Sequence, residues 1–170
     1  MSKRYRIRPA TGEDRDVIVA SNHALARETE GHDLDEPTVA AGVAALLADP
    51  KKGRYFLAEL EDDASSHAAE RKPAVTREPA GQLMVTLEWS DWRNGPIWWI
   101  QSVYVSSQHR RRGVYRALHE HVQQAAREAG AVGLRLYVDH DNAAAQAAYR
   151  SLGMEESRYR MYEATWGMKT

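Results

Sequence analysis

The chain has 170 residues, a formal net charge of -1, 43% apolar and 28% charged residues, and no cysteine. That length suits one domain, 1–170, with a substantial core, while the missing cysteines exclude disulfides, cysteine-based zinc sites and a thiolate nucleophile. No run approaches ~20 apolar residues, the first residues carry no apolar signal segment, and the basic residues are balanced overall, so a cytoplasmic protein with no membrane span and no nucleic-acid partner is expected.

In chain order, "RYRIRP" alternates Tyr5 and Ile7 against arginines and reads as a strand. Thr11 and Asp14 form a Thr-x-x-Asp cap before Val17, Ile18, Ser21, Ala24 and Leu25 at helical spacing. Pro37 suits the first turn of a second helix carried by Val39, Val43, Leu46 and Leu47, and Asp49-Pro50 ends it. "GRYFLAEL" is a strand. Residues 62–80 have no apolar period and read as a long, mobile hairpin loop. "GQLMVTLEW" and "PIWWIQSVYV" are strands joined by a turn at Asn94-Gly95. A helix follows Gly113 with Val114, Ala117, Leu118, His121, Val122 and Ala125 on one face. "AVGLRLYVD" reads as a strand covered on both faces, Asn142 to Leu152 as an alanine-rich helix, and "SRYRMYEAT" as a final strand. The order β-α-α-β-β-β-α-β-α-β predicts one mixed α/β (α+β) domain, with an antiparallel meander and a right-handed parallel unit from 97 to 138.

Three adjacent arginines, Arg110, Arg111 and Arg112, precede Gly113 between a strand and a helix. The first helical turn has N–H groups without intrahelical partners, the macrodipole adds positive potential, and glycine lets backbone approach a ligand. Such a place suits a small, highly charged anion. Neither a G-x-x-x-x-G-K-[ST] nor a G-x-G-x-x-G pattern occurs, which excludes a P-loop and a Rossmann fingerprint. By themselves the arginines also read as a solvated helix start.

Two motifs sharpen this. Arg110-x-x-Gly113-x-Tyr115 follows the strand "SVYV", and Asn142-x-x-Ala145-x-x-x-Tyr149-x-x-x-Gly153-Met154 follows later. With the order of elements, they resemble the GNAT superfamily of acetyl-CoA-dependent N-acetyltransferases over essentially the whole chain. The resemblance implies a GNAT-type mixed, mostly antiparallel central sheet flanked by helices. It implies acetyl-CoA (coenzyme A) as acyl-donor substrate, with no metal. The pyrophosphate would be cradled by backbone at about residues 111 to 116, including Val114, Tyr115 and Arg116, with Arg110, Arg111, Arg112 and Gly113. The thioester arm would lie along Val103, Tyr104 and Val105, where the family's central strands splay apart. Asn142 and Tyr149 would also contact the cofactor. Tyr115 departs from the usual Gly or Ala, and packing against a neighbouring strand is the expected accommodation.

Acetyl transfer to an amine needs a deprotonated amine, donors for an oxyanion and a proton for the departing thiolate. The resemblance makes Tyr149 the acid; without the motif it reads as a packing tyrosine. Asn142 is also a helix N-cap. The family's usual glutamate position holds Gln101, which cannot act as a base, so Glu88 or ordered water takes that role. The expected acceptor is a primary amine of a small molecule or peptide, and a homodimer is favoured because relatives often pair. Glu28, Glu30, Asp33, Asp35 and Glu36 could attract a cationic amine, and Trp89, Trp92, Trp98 and Trp99 could add cation–π contacts; a solvated acidic turn and ordinary sheet aromatics explain the same residues. A non-catalytic acyl-CoA-binding sensor module is the alternative reading, prompted by Gln101 and Tyr115.

Overall fold

A computed structural model of the chain describes residues 5–29, 31–61, 79–164 and 166. They fall into two compact units, Met1–Tyr137 and Val138–Thr170. The first contains β1 (Tyr5–Pro9), α1 (Arg15–Thr29), α2 (Glu36–Ala48), β2 (Arg54–Leu60), β3 (Gly81–Ser90), β4 (Gly95–Val105), α3 (Val114–Glu128) and β5 (Gly133–Leu136). The second contains α4 (Ala143–Ser151).

The strands form one sheet in the order β1-β2-β3-β4-β5, antiparallel except for the parallel β4–β5 pair. This is the mixed, mostly antiparallel sheet expected. Strand alternation sends Phe56, Ala58, Leu83, Val85, Trp98 and Ile100 to one face, where they pack with Val114, Leu118 and Val122 of α3. The opposite face carries Tyr55 and Leu57 against Ile18 of α1 and Val43 and Leu46 of α2. Tyr5 and Ile7 pack against the first of these cores, while Arg6 and Arg8 turn away to hydrogen-bond Glu59 on β2.

Several expectations shift. On α3 the buried face is Val114, Leu118, His119, Val122 and Ala126, so His119 rather than His121 lies in the core. His121 instead packs edge-on against Phe56 at 5.4 Å. Burial pushes the His119 pKa below its ordinary value, which keeps the ring neutral at neutral pH. The strand read at 131–139 is only Gly133–Leu136, half-buried throughout and last in the sheet order, so it is not covered on both faces. Its apolar residues reflect partial burial at a sheet edge. The final strand read at 157–165 is not formed: residues 154–164 adopt neither helix nor strand, and their alternation finds no sheet partner among the described residues. Of the loop read at 62–80, residues 62–78 lie outside the described residues, while Ala80 is buried and its amide donates to the Ala58 carbonyl at 2.7 Å.

One polar cluster fixes how β1 enters α1. Asp14 is 5% exposed and accepts two hydrogen bonds from Arg8, at 2.8 and 2.7 Å, and one from the Thr11 amide at 2.7 Å. The Arg8 guanidinium holds the Asp14 carboxyl below the usual aspartate range. Asp14→Ala removes two charge-assisted hydrogen bonds from Arg8, which keeps Glu59 as a partner, and the acceptor for the Thr11 amide, so it is expected to lower stability by about 2 kcal/mol. Because the folded pKa is depressed, this contribution is complete above the unfolded value and is lost as pH falls through the folded one. Urea unfolding of both proteins should therefore show a gap at neutral pH that closes in acid; a gap independent of pH would mean that packing, not charge, holds Asp14.

Candidate active site

Strand β4 is paired unequally on its two edges. It pairs with β3 as far as Val105, but with β5 only from Ile97 to Ile100. The edge of residues 101–105 that faces away from β3 therefore has no strand partner among the described residues. Gln101 is the extra residue of a bulge: Ser102 faces Met84 while Ile100 faces Val85. Bulges bend a strand and re-aim its side chains. Val103, Tyr104 and Val105, read from the sequence as lying along the acyl arm, fall in this unpaired stretch.

The arginine turn follows directly. Arg111 has φ 59° and Gly113 φ 84°, so two of these residues adopt left-handed backbone, a conformation that non-glycine residues adopt at a cost of roughly 1–2 kcal/mol. Turns of this kind gather successive N–H groups into anion-binding concavities. Gly113 is the N-cap of α3, no side chain caps the helix, and a Cβ at Gly113 would meet no atom within 4 Å. The amides of Val114, Tyr115 and Arg116 thus begin a 15-residue helix with no side-chain acceptor at its cap, an arrangement that fits a pyrophosphate. Val114 fixes this start by packing in the core, 3.0 Å from where a Cβ on Gly81 would stand. Tyr115 is half-buried, packs against the same core and lies 5.9 Å from the His119 ring, so its bulk is accommodated by packing.

The three arginines are not equivalent. Arg110 is ion-paired with Glu28 of α1 and donates to the Val105 carbonyl at 2.9 Å. The Tyr104 hydroxyl also donates to Glu28, at 3.2 Å. The Arg110 guanidinium holds the Glu28 carboxyl below its ordinary range. As both partners are well exposed, the pair contributes little stability; what it does is tie the end of α1 to the end of β4. Arg111 and Arg112 are exposed and make no ion pair among the described residues.

In the second unit Asn142 caps α4, its side chain accepting from the Ala145 amide at 3.0 Å. Gly153, at φ 81°, closes the helix, and the Met154 amide donates to the Tyr149 carbonyl. The Tyr149 phenol is half-buried, and burial pushes its pKa above the usual tyrosine value. It is therefore protonated at neutral pH.

Other expected residues are placed elsewhere. Glu88 does face the same side as Met84 and Thr86, but it pairs with Ile97 and hydrogen-bonds Arg135 at 3.0 Å. It stands five residues along β3 from Leu83, the partner of Val103, or ~17 Å at ~3.4 Å per residue. The register thus separates Glu88 from Val103, while Thr86, two residues before Glu88, meets Gln101 at the start of the unpaired stretch. Gln101 donates to Thr86 at 2.8 Å. The tryptophans do not form a cage: Trp98 is buried in the α3-side core, Trp99 shares the other face with Glu88, and Trp89 and Trp92 are exposed near the β3–β4 turn. Three of the acidic residues have structural partners: Glu28 with Arg110, Asp33 with Arg27, and Asp35 as the N-cap of α2; Glu36 is exposed in the first turn of α2. Glu30 lies outside the described residues. Among the described residues no group of three or more His, Asp or Glu could hold a metal ion, and no helix is long and apolar enough to cross a membrane.

Sequence reasoning missed the other wall of this region. A cavity of about 370 Å³ lies between α1, α2 and the sheet and reaches Ser102 on β4. On its polar side Gln82 donates to Asn22 at 2.7 Å, and Asn22 donates to the Tyr55 hydroxyl at 3.2 Å. Gln82 is fully buried and its Oε1 has no partner among the described residues. The alternation that places Gln82 beside Met84 was legible; its meeting with Asn22, sixty residues earlier, was not.

A family model described as "Acetyltransferase (GNAT) family" matches residues 26–154. The structure of a possible acetyltransferase from Clostridium difficile 630 is 40% identical, with a TM-score of 0.80, covering 95% of this chain and 97% of that one. An aminoglycoside N-acetyltransferase in complex with CoA (TM-score 0.72, 15% identity, 97% of each chain) shares the fold. So does a ribosomal-protein-alanine N-acetyltransferase from Brucella melitensis biovar Abortus 2308 (TM-score 0.69, 13% identity, 96% and 100%). No curated protein matches the chain.

The unequal arginines give a prediction. Arg110 is already neutralised by Glu28, so Arg110→Ala should weaken acetyl-CoA binding less than about threefold. The double substitution Arg111→Ala with Arg112→Ala removes two charge-assisted contacts and should weaken it by at least about tenfold. Calorimetric titration with acetyl-CoA decides; equal losses would mean that Arg110 leaves Glu28 for the ligand.

Proposed function

Because the chain belongs to the GNAT acetyltransferase family, we propose that it transfers the acetyl group of acetyl-CoA to a primary amine of a small molecule or peptide by direct attack in a ternary complex. The observation that carries this reading is the sequence of features along one stretch of backbone. β4 loses its β5 partner after Ile100, the chain passes through a left-handed, arginine-bearing turn, and α3 begins uncapped at Gly113. An unpaired strand edge suits the amide-bearing arm of the donor, and the turn suits its pyrophosphate.

Acetyl-CoA supplies the acetyl group as a thioester. The chain's part is to hold it with the amides of 113–116 and the edge of 101–105, and to manage protons. Over the reaction an ammonium loses two protons, one of which ends on the departing sulfur, so the net release is one. Tyr149, which the family motif puts forward and burial keeps protonated, gives the proton to the sulfur. Glu88 is held by Arg135, so the amine's protons leave through water, one of them returning to Tyr149 and the other released. An amine entering an apolar cleft helps, because desolvation lowers the pKa of its ammonium.

An amine-panel acetylation assay with thiol detection of free CoA tests the proposal; acetyl-CoA binding without acetylation of any amine would replace it with the sensor reading. Tyr149→Phe should lower kcat by about 10²–10⁴-fold while leaving acetyl-CoA affinity little changed, with a larger loss for a donor whose thiol leaves poorly. Glu88→Gln should leave the pH profile of kcat/KM unchanged; loss of its acidic limb would restore Glu88 as the base.

A further inference from the structure

The cavity beside β4 has a composition that bears on the acceptor. Its walls are Leu25 and Ala26 from α1, Val39, Val43 and Leu46 from α2, and Met84 from the sheet, with Leu34 between the helices. The polar groups lining it are Asn22, Tyr55 and Ser102; no charged side chain among the described residues does so. Asn22 and Tyr55 are bonded to one another. Burial pushes the Tyr55 pKa up, so the phenol stays neutral. The volume of about 370 Å³ is within the ~300–1,000 Å³ of small-molecule sites. The cavity is also continuous with the reacting region, since Ser102 both lines it and belongs to the unpaired stretch of β4.

Resting on the acetyl-transfer reading above, we infer that this cavity takes the apolar body of the acceptor, so that the substrate is a primary amine borne on an aliphatic or aromatic group rather than a polyamine or an aminoglycoside. Among the described residues the walls hold no carboxylate to receive a second or third ammonium, and each extra charge would lose its water there without such a partner. Of the acidic segment that might have drawn such a substrate, Glu28, Asp33 and Asp35 are engaged with Arg110, Arg27 and the α2 cap, and Glu36 is not among the residues lining the cavity. A second observation supports the assignment. Gly42 sits inside α2, where glycine is less favourable than alanine, yet a Cβ there would meet no atom within 4 Å. Packing does not require the glycine, which is exposed and lines the cavity.

The test uses the full chain with acetyl-CoA, 2-phenylethylamine, spermidine and kanamycin. The parent should acetylate 2-phenylethylamine with kcat/KM at least about tenfold above either polycation, as burial of an apolar group predicts. Gly42→Leu should raise KM for 2-phenylethylamine, and its Kd by calorimetry, at least about tenfold, with acetyl-CoA affinity and Tm not lowered. Should Gly42→Leu lose its thermal transition, Val39→Phe narrows the same cavity from another position and is read in the same way. Preference for spermidine or kanamycin would overturn the inference and leave acetyl transfer standing. So would a substitution that altered preference among longer acyl donors and not the affinity for 2-phenylethylamine, since the cavity would then hold the acyl chain. Binding of 2-phenylethylamine that Gly42→Leu weakens, without turnover of any amine, would keep the cavity's ligand class and overturn acetyl transfer. No binding of 2-phenylethylamine at all overturns the inference.

Discussion

The site depends on β4 having one partner for longer than the other. A strand in a sheet ordinarily satisfies its backbone groups on both sides. Here the β3 side is satisfied to Val105, and the β5 side only to Ile100. The groups so exposed are held rigidly, because the same strand carries Trp98 and Ile100 into the core beneath α3. A ligand meeting that edge finds preorganised donors and acceptors whose orientation was set by folding.

Around that edge the charges are arranged by pairing rather than by abundance. A run of three cations invites the reading that all three wait for an anion, and a run of acids invites the reading that they wait for a cation. The structure joins the two runs through Glu28 and Arg110, which leaves Arg111 and Arg112 exposed beside the uncapped start of α3. Asp33 holds Arg27 and Asp35 caps α2. Arg111 and Arg112 thus gather at the turn before α3, where the proposed reading places the anion, while the wall formed by α1 and α2 is apolar.

On the proposed reading that apolar wall also bears on how the amine loses its proton. An environment that disfavours the ammonium does part of a base's task. Gln101, bonded to Thr86, and Glu88, bonded to Arg135, both have protein partners.

The sequence by itself determined the parts whose physics is local. Thr11 to Asp14 announced a cap, Pro37 a helix start, and Gly113 the start of α3. The two spaced motifs carried the family, and with it the sheet, because they join a strand end to a helix start within a few residues. What only the tertiary structure decided depends on register and on distant pairs. Glu88 is on the expected face but ~17 Å along the strand from Leu83, since position along a ladder is set by both strands together. Glu28 and Arg110 are 82 residues apart, as Gln82 and Asn22 are 60 apart, and nothing in either segment names its partner. The "SRYRMYEAT" alternation through Ala164 has the period of a strand without a neighbour to pair with, and a strand is a property of two segments. The cavity beside Ser102 belongs to no segment at all: it is the space left when α1, α2 and the sheet are packed, and packing is where the sequence ceases to be local.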